Sequence, residues 1–491
     1  GIATAYMDSI PMIILSSQVL STLIGEDAFQ ETDMIGITRP IVKHSFSIKN
    51  PADIPAIMRK AFYIATSGRP GPVLIDIPKD MTAPTEKYEY KFIEDIKLRS
   101  YSPATNGHTG QIKKAVDLML KAKRPVLFAG GGVVLGKASD KFTQLAKKLN
   151  FPVTTSLMGI GAFSQTDEQS IGWPGMHGSF AANNAMHASD LVINIGARFD
   201  DRVTNNTAKF CPTARIIHVD IDPSSIGKTI RVDVPIVGAA DKVLAEMLSL
   251  LEAAEETPDA AALASWWEQI NTWRASRVGK DYEPAQNGAL MKPQQVVEAV
   301  YKHTQGNAYV VTDVGQHQMY AAQYYKFNKP NRWITSGGLG TMGFGLPAAM
   351  GVKLNLPEEE VVLITGEGSF QMMLQELSTC SQFGIPVKII NLNNQSLGMV
   401  RQWQDLNYQA RHAQSYMESL PNFKMLIESY GHIALTVNKL EELDAALEEA
   451  FSLKDRLVFV DVYVDPQEHV YPMQVPQGSM KDMLLSKTER T

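Results

Sequence analysis

Val361-Val362-Leu363-Ile364-Thr365-Gly366-Glu367-Gly368-Ser369 begins as an apolar run of strand length and ends in a glycine-rich turn. A second run, Val387-Lys388-Ile389-Ile390, leads to Asn391-Leu392-Asn393-Asn394, whose last residue stands 27 positions past Glu367. At the C-terminal ends of parallel strands, such turns lie where open α/β sheets bind ligands. A glycine turn that opens a helix leaves backbone N–H groups facing a phosphate. A carboxylate and an amide oxygen from two strand ends can then hold Mg²⁺, which takes its remaining ligands from water and phosphate oxygens. The bland reading is a pair of turn glycines beside an Asn-rich loop, and an isolated Gly-x-Gly would not rise above it. The paired spacing favours the ligand reading.

Outward from this stretch, short β-rich runs alternate with longer amphipathic segments: Met12–Leu15, Val73–Asp76, Val126–Ala129, Leu191–Ile193, Ile216–Val219, Tyr309–Val311 and Val458–Val460. The alternation predicts an α/β fold with parallel sheets flanked by crossover helices. Breaks near Tyr101–His108 and Tyr282–Lys292 divide the 491 residues into three blocks, 1–100, 108–280 and 290–491. The first block is short and opens with helix-like Gly1-Ile2-Ala3-Thr4-Ala5-Tyr6-Met7, so part of it is expected to lie upstream, and no targeting peptide is read there. The acidic, Ala-rich Glu252–Ala262 reads as a surface helix or linker. In the middle block Gly130-Gly131-Gly132, Gly196-Ala197-Arg198 and Asp220-Ile221-Asp222-Pro223 each follow a strand. These turns suit a dinucleotide, although alone they would be turn punctuation.

Composition excludes more than it names. With 44% hydrophobic and 20% charged residues the chain is ordinary globular protein. Its net charge of -6 is spread without a basic run, so neither nucleic acid nor an anionic membrane is an expected partner. The apolar runs fall far short of the roughly 20 residues a membrane helix needs. Cys211 and Cys380 show no paired spacing, which speaks against a disulfide framework or thiolate metal site and fits a reducing compartment. Small-molecule chemistry in a multidomain enzyme is the expectation.

The turns around Glu367 and Asn394 resemble the diphosphate and Mg²⁺ motif of the thiamine-diphosphate enzymes, normally Gly-Asp-Gly followed by Asn-Asn. Asp313-Val314-Gly315-Gln316-His317-Gln318 is similar to that family's other diphosphate-contacting turn. Ser336-Gly337-Gly338-Leu339-Gly340-Thr341-Met342-Gly343-Phe344-Gly345 is similar to its loop around the aminopyrimidine. The resemblance implies Glu367, Asn394 and Ser396 as Mg²⁺ ligands. It implies Gln316, His317, Gly338, Gly340, Gly366, Gly368 and Ser369 as contacts to thiamine diphosphate, with Met342 as the apolar support beneath the bent cofactor. The thiazolium is the electron sink for CO2 loss, so the protein orients the cofactor and needs no acid-base dyad of its own. Glu367 stands where the family has Asp, and its extra methylene is expected to weaken the fit to an octahedral ion. The Glu that hydrogen-bonds the aminopyrimidine N1′ is implied to lie upstream of Gly1, so the chain as given is expected to lack that activating group.

Within thiamine enzymes, Asp27-Ala28-Phe29-Gln30-Glu31, Ser67-Gly68-Arg69-Pro70-Gly71-Pro72, Gly175-Met176-His177-Gly178, Gly196–Arg202 and Leu397–Gln404 are similar to the acetohydroxyacid (acetolactate) synthases. That likeness implies the thiamine-diphosphate-binding fold twice, around a central FAD-binding Rossmann-like domain. The domains would be a truncated pyrimidine-binding domain over 1–100, the FAD domain over 108–280 and a diphosphate- and Mg²⁺-binding domain over 290–491. FAD, with no net redox change, would be held by Arg69, Gly131, His177, Gly196, Ala197, Arg198, Asp220 and Ile221. The implied reaction decarboxylates pyruvate and joins the two-carbon unit to pyruvate or 2-ketobutyrate, in the biosynthesis of isoleucine, valine and leucine.

For the second substrate, Arg202 offers a planar guanidinium to a carboxylate and Trp403 an apolar wall to a short alkyl group. Phe29, Gln30, Lys79 and Met399 would line the same site. Without the family context, Arg202 and Trp403 would read as a surface ion pair and a core aromatic. The family's sites combine the first block of one subunit with the third of another, which implies a homodimer or tetramer, and a small regulatory subunit is a further expected partner. The implied location is the cytoplasm of a bacterium or an organelle of a eukaryote. Three departures stand out: Ala239 where the family has Asp, which is expected to weaken flavin binding, Met373 for Asn and Ser17 for Gly. The rival readings are another flavin-containing thiamine enzyme, against which Arg401-Gln402-Trp403-Gln404 argues, and a non-catalytic relative that keeps the fold.

Overall fold

Strands buried on both faces of a parallel sheet need apolar side chains in both pleat directions, and the continuous apolar runs of this chain supply them. The computed structural model describes residues 1–83, 87–94, 96, 98–277, 280–286 and 288–491. Asn287, inside the second predicted break, lies outside them. The described residues form two compact units, Gly1–Thr105 with Gly337–Gly340, and Asn106–Ser336 with Thr341–Thr491.

In the smaller unit, β1 (Met12–Gln18), β2 (His44–Ser47) and β3 (Pro72–Pro78) form a parallel sheet in the order β1-β3-β2. Its central strand is almost wholly buried, and Ala61, Ile64 and Ala65 of the helix Ile54–Thr66 share a core with Val73 and Ile75.

The larger unit holds two parallel sheets. Five strands, β4 (Pro125–Ala129), β5 (Val153–Thr155), β6 (Leu191–Ile195), β7 (Arg215–Asp220) and β8 (Val234–Val237), run in the order β5-β4-β6-β7-β8. Alternate side chains of β4 enter opposite cores, Leu127 and Ala129 on one face and Val126 and Phe128 on the other. Six more strands, β9 (Tyr309–Thr312), β10 (Trp333–Ile334), β11 (Val361–Thr365), β12 (Lys388–Asn393), β13 (Ile433–Val437) and β14 (Val458–Tyr463), run in the order β10-β9-β11-β12-β14-β13. β11 again splits its residues, Val362 and Ile364 against Val361 and Leu363.

Every apolar run read as a strand lies in one, and the parallel α/β class is as expected. The Glu252–Ala262 segment is chiefly linker: the helix Ala240–Ala253 ends there and the helix Ala260–Ala275 begins. Among the described residues no helix is long and apolar enough to cross a membrane. Cys211 and Cys380 are both buried free thiols.

Candidate active site

In the six-stranded sheet the chain leaves β9 for β10 on one side and β11 on the other. That reversal opens a crevice at the C-terminal strand ends, where such sheets take their ligands. The turn after β9 is held by Asp313, which is buried and accepts hydrogen bonds from the N–H groups of Val314 (2.8 Å), Gly343 (2.9 Å) and Gly345 (2.9 Å). One carboxylate thus anchors the loop that carries Met342. A methyl on Gly345 would meet Asp313 Oδ2 at 2.8 Å, so the loop approaches as closely as glycine permits.

The His317 imidazole lies over both glycine turns, 2.8 Å from where a Cβ on Gly315 would stand and 2.9 Å from one on Gly366. Its Nε2 is buried without a hydrogen-bond partner, and burial pushes its pKa down to about 4, against the pull of Asp313. A neutral ring with a free nitrogen at a phosphate-sized turn suits a ligand contact. Ser369 Oγ donates to Val314 O at 3.0 Å and ties the two turns together.

Glu367 is buried at the start of the turn after β11, and its Oε1 accepts the Ser396 N–H at 2.8 Å. Asn394 Oδ1 accepts from the N–H (3.1 Å) and Oγ (3.2 Å) of Ser396, while Asn394 Nδ2 donates to Gln316 Oε1 at 3.2 Å. Burial pushes the Glu367 carboxyl up to a pKa of about 7, with Asp461 adding to the rise and backbone N–H groups opposing it. The three hard oxygen donors expected for Mg²⁺ are therefore one hydrogen-bonded group, fitting that ion. Met342 is half-buried with its methyl 3.9 Å from where a Cβ on Gly368 would stand, so it borders the same turn.

The five-stranded sheet has its own reversal between β4 and β6. A Cβ on Gly130 would stand 2.1 Å from Gly196 O, and one on Gly132 2.8 Å from Gly196 Cα, so the two turns pack backbone to backbone. Asn194 fixes the Ala197 end, accepting its N–H at 3.0 Å and donating to its carbonyl at 2.7 Å. Gly131 and Gly196 thus come together, with Asp220 ending the next strand and Ile221 following it, where Asp220 accepts the Asp222 N–H at 2.8 Å. Buried His177 bonds Pro472 O through Nδ1 at 3.2 Å, leaves Nε2 unpartnered, and burial lowers its pKa to about 4. Close-packed glycine turns and an orphaned imidazole nitrogen fit a nucleotide cofactor. Arg198 is half-buried just beyond.

The remaining candidates are more dispersed. Arg202 is exposed, 3.9 Å from Asp201 and 3.6 Å from Met176 Sδ. Trp403 and Met399 stand on the helix Gly398–Asn407, both half-buried, with Met399 packed against the apolar core. In the smaller unit Phe29 is 90% exposed, Gln30 takes φ 63° and Lys79 is exposed just past β3. There too, Arg69 donates to Ser9 Oγ at 2.8 Å, and the Gly338 N–H donates to Asp8 at 2.7 Å in the segment that includes Gly340.

A family model described as "Thiamine pyrophosphate enzyme, C-terminal TPP binding domain" matches residues 313–462, and one described as "Thiamine pyrophosphate enzyme, central domain" matches 112–247. The acetolactate synthase large subunit of Haemophilus influenzae is 58% identical over 489 residues, covering 100% of this chain and 85% of that protein. The acetolactate synthase isozyme 3 large subunit of Escherichia coli is 54% identical over 493 residues, with the same two shares of 100% and 85%. The acetolactate synthase large subunit of Corynebacterium glutamicum is 44% identical over 487 residues, 98% of this chain and 77% of that protein. The chain belongs to the acetolactate synthase large subunits.

As an acetolactate synthase large subunit it is an enzyme on the thiamine-diphosphate fold, and neither rival reading is favoured. Two features of this acetolactate synthase carry no local sign in the sequence. Asp313 sits in a quoted motif, but its partners Gly343 and Gly345 are 30 and 32 positions away. Asp461, buried behind the Asn loop, accepts from Asn391 Nδ2 (2.8 Å) and Asn393 Nδ2 (3.1 Å), and nothing near it in sequence marks it.

Proposed function

We propose that the chain decarboxylates pyruvate and joins the two-carbon unit to a second pyruvate or to 2-ketobutyrate, with thiamine diphosphate, Mg²⁺ and FAD as cofactors. The carrying observation is the single hydrogen-bonded group of Glu367, Asn394, Ser396 and Gln316 at adjacent strand ends. Bound thiamine diphosphate supplies the electron sink for CO2 loss. Glu367, Asn394 and Ser396 would hold the metal, while the Gly366 and Gly368 turn, Ser369, Gln316 and His317 receive the diphosphate. Gly338 and Gly340 would take the aminopyrimidine and Met342 support the bend. Arg69, Gly131, His177, Gly196, Ala197, Arg198, Asp220 and Ile221 would hold the flavin.

In this reading Arg202 captures the acceptor carboxylate, and Trp403, with Met399, Phe29, Gln30 and Lys79, walls its alkyl group. The larger unit is read as two domains, 108–280 and 290–491, and 1–100 as the third. Its state is a homodimer or tetramer with a small regulatory subunit, in the cytoplasm. The holoenzyme of the full-length subunit, purified and given pyruvate, is expected to release CO2 and form acetolactate. Pyruvate consumption without acetolactate, or none at all, overturns the reading.

A further inference from the structure

The helix Gly398–Asn407 presents two sets of residues four apart, Met399 with Trp403 and Arg401 with Asp405. At about 100° per residue the two pairs lie on roughly opposite faces. The second pair is the one the fold grips. Arg401 is fully buried, donating to Glu468 O at 2.9 Å and pairing with Asp405 Oδ2 at 3.0 Å. Removing the partner of a buried guanidinium leaves an uncompensated charge, so Asp405 is not an ornamental surface ion.

Asp405 binds more than Arg401. Its Oδ2 lies 3.1 Å from His469 Nε2 and its Oδ1 2.5 Å from His412 Nε2. Three segments therefore meet on one carboxylate: the helix itself, the chain that follows it, and the segment after β14. Beside this node Gln402 accepts the Val470 N–H at 2.8 Å and donates to Val470 O at 3.1 Å. The segment beyond His412 returns toward the candidate metal loop, where Leu397 N–H donates to Ser415 O (2.7 Å) and Met417 N–H to Gln395 O (2.9 Å).

We infer that Asp405 is a positioning residue for the second substrate: by joining Arg401, His412 and His469 it fixes the rotation at which the helix presents Trp403 and Met399. The inference rests on the proposed role of Trp403. Both oxygens of Asp405 are taken up by Arg401, His469 and His412, so its loss should act on acceptor choice and acceptor affinity more than on the decarboxylation that precedes them.

The test is a competition assay of the holoenzyme with pyruvate and 2-ketobutyrate together, alongside KM for each and the thermal midpoint. Trp403→Leu, Asp405→Ala, His412→Ala and the Asp405→Ala/His412→Ala double variant are compared. Asp405→Ala is expected to lower the acetohydroxybutyrate to acetolactate ratio at least about threefold and raise KM for 2-ketobutyrate, with the single-turnover rate of CO2 release from pyruvate changed less than about twofold. His412→Ala should move the ratio the same way, and the double variant should be no worse than Asp405→Ala alone, because the two residues act as one unit. A ratio unchanged in Asp405→Ala while Trp403→Leu shifts it overturns the inference. A ratio unchanged in Trp403→Leu instead removes the reading beneath it. Should Asp405→Ala not fold, the more exposed His412→Ala is read by the same rule.

Discussion

Burial holds the Glu367 carboxyl at a pKa of about 7, against an ordinary 4.5. A raised pKa means that the folded state keeps a proton the unfolded chain has lost, so this group costs the cofactor-free protein stability as pH rises from 4.5 to about 7. A metal ligand must be ionised, so Mg²⁺ competes with that proton. The Mg²⁺ concentration for half-maximal activation is expected to fall as pH is raised from about 6 to about 8, approaching tenfold per unit on the acid side. Glu367→Gln should abolish this dependence and raise the metal requirement at least about 100-fold; a Gln variant with unaltered Mg²⁺ titration would remove Glu367 from the metal site. Trp403 carries a second expectation. One methylene in an apolar pocket is worth roughly 1 to 3 kcal/mol. Trp403→Leu should therefore move the product ratio about 10-fold or more toward acetolactate, whereas substituting Arg202 should slow both products alike, since both acceptors bear the same carboxylate.

The helix Ala240–Ala253 begins at Ala239, whose φ of -70° and ψ of 133° suit a capping residue but whose methyl accepts nothing. The N-cap side chain therefore offers the first turn no acceptor. Ala239→Asp should supply one and place a negative charge at the positive helix end, raising stability by about 1 kcal/mol. A denaturant midpoint equal to or below that of the parent would refute it. The same scale shows what could be read in advance. Interior strands such as β11 and β6 announce themselves because all five residues of each are buried. The strands β2, β5, β8, β10 and β13, which lie beyond the runs that the sequence marks, are all at sheet edges. An edge strand has one neighbour and tolerates brevity and polarity, so His44-Ser45-Phe46-Ser47 and the two-residue Trp333–Ile334 carry no apolar run. The candidate site divides likewise. Gly366–Ser369 and Asn394 sit in local motifs, while the hold of Asp313 on Gly343 and of Asp405 on His469 joins positions far apart in the chain, which no local pattern encodes.

Large apolar side chains are exposed on the smaller unit, Leu15 at 58%, Ile37 at 60% and Phe29 at 90%. The family resemblance implies a homodimer in which Phe29, Gln30 and Lys79 of one chain would serve the metal and cofactor groups of another. Symmetry makes that arrangement testable without a structure of the complex. In a two-fold dimer of a Lys79→Ala chain with a Glu367→Gln chain, one site receives both defects and the other receives neither. Each variant alone is expected to be nearly inactive. Co-expressed in equal amounts, they should form heterodimers as about half of all dimers, each with one intact site, and recover about a quarter of the parent activity. Sites built within single chains would leave every site defective and restore nothing, so activity no greater than the sum of the separate variants would rule out sharing. The two defects must first be shown to leave the subunits able to pair, which sedimentation of each variant and of the mixture reports directly. An intermediate recovery that rises with the heterodimer fraction, as the ratio of the two chains is varied, would tie the restored sites to pairing between unlike subunits.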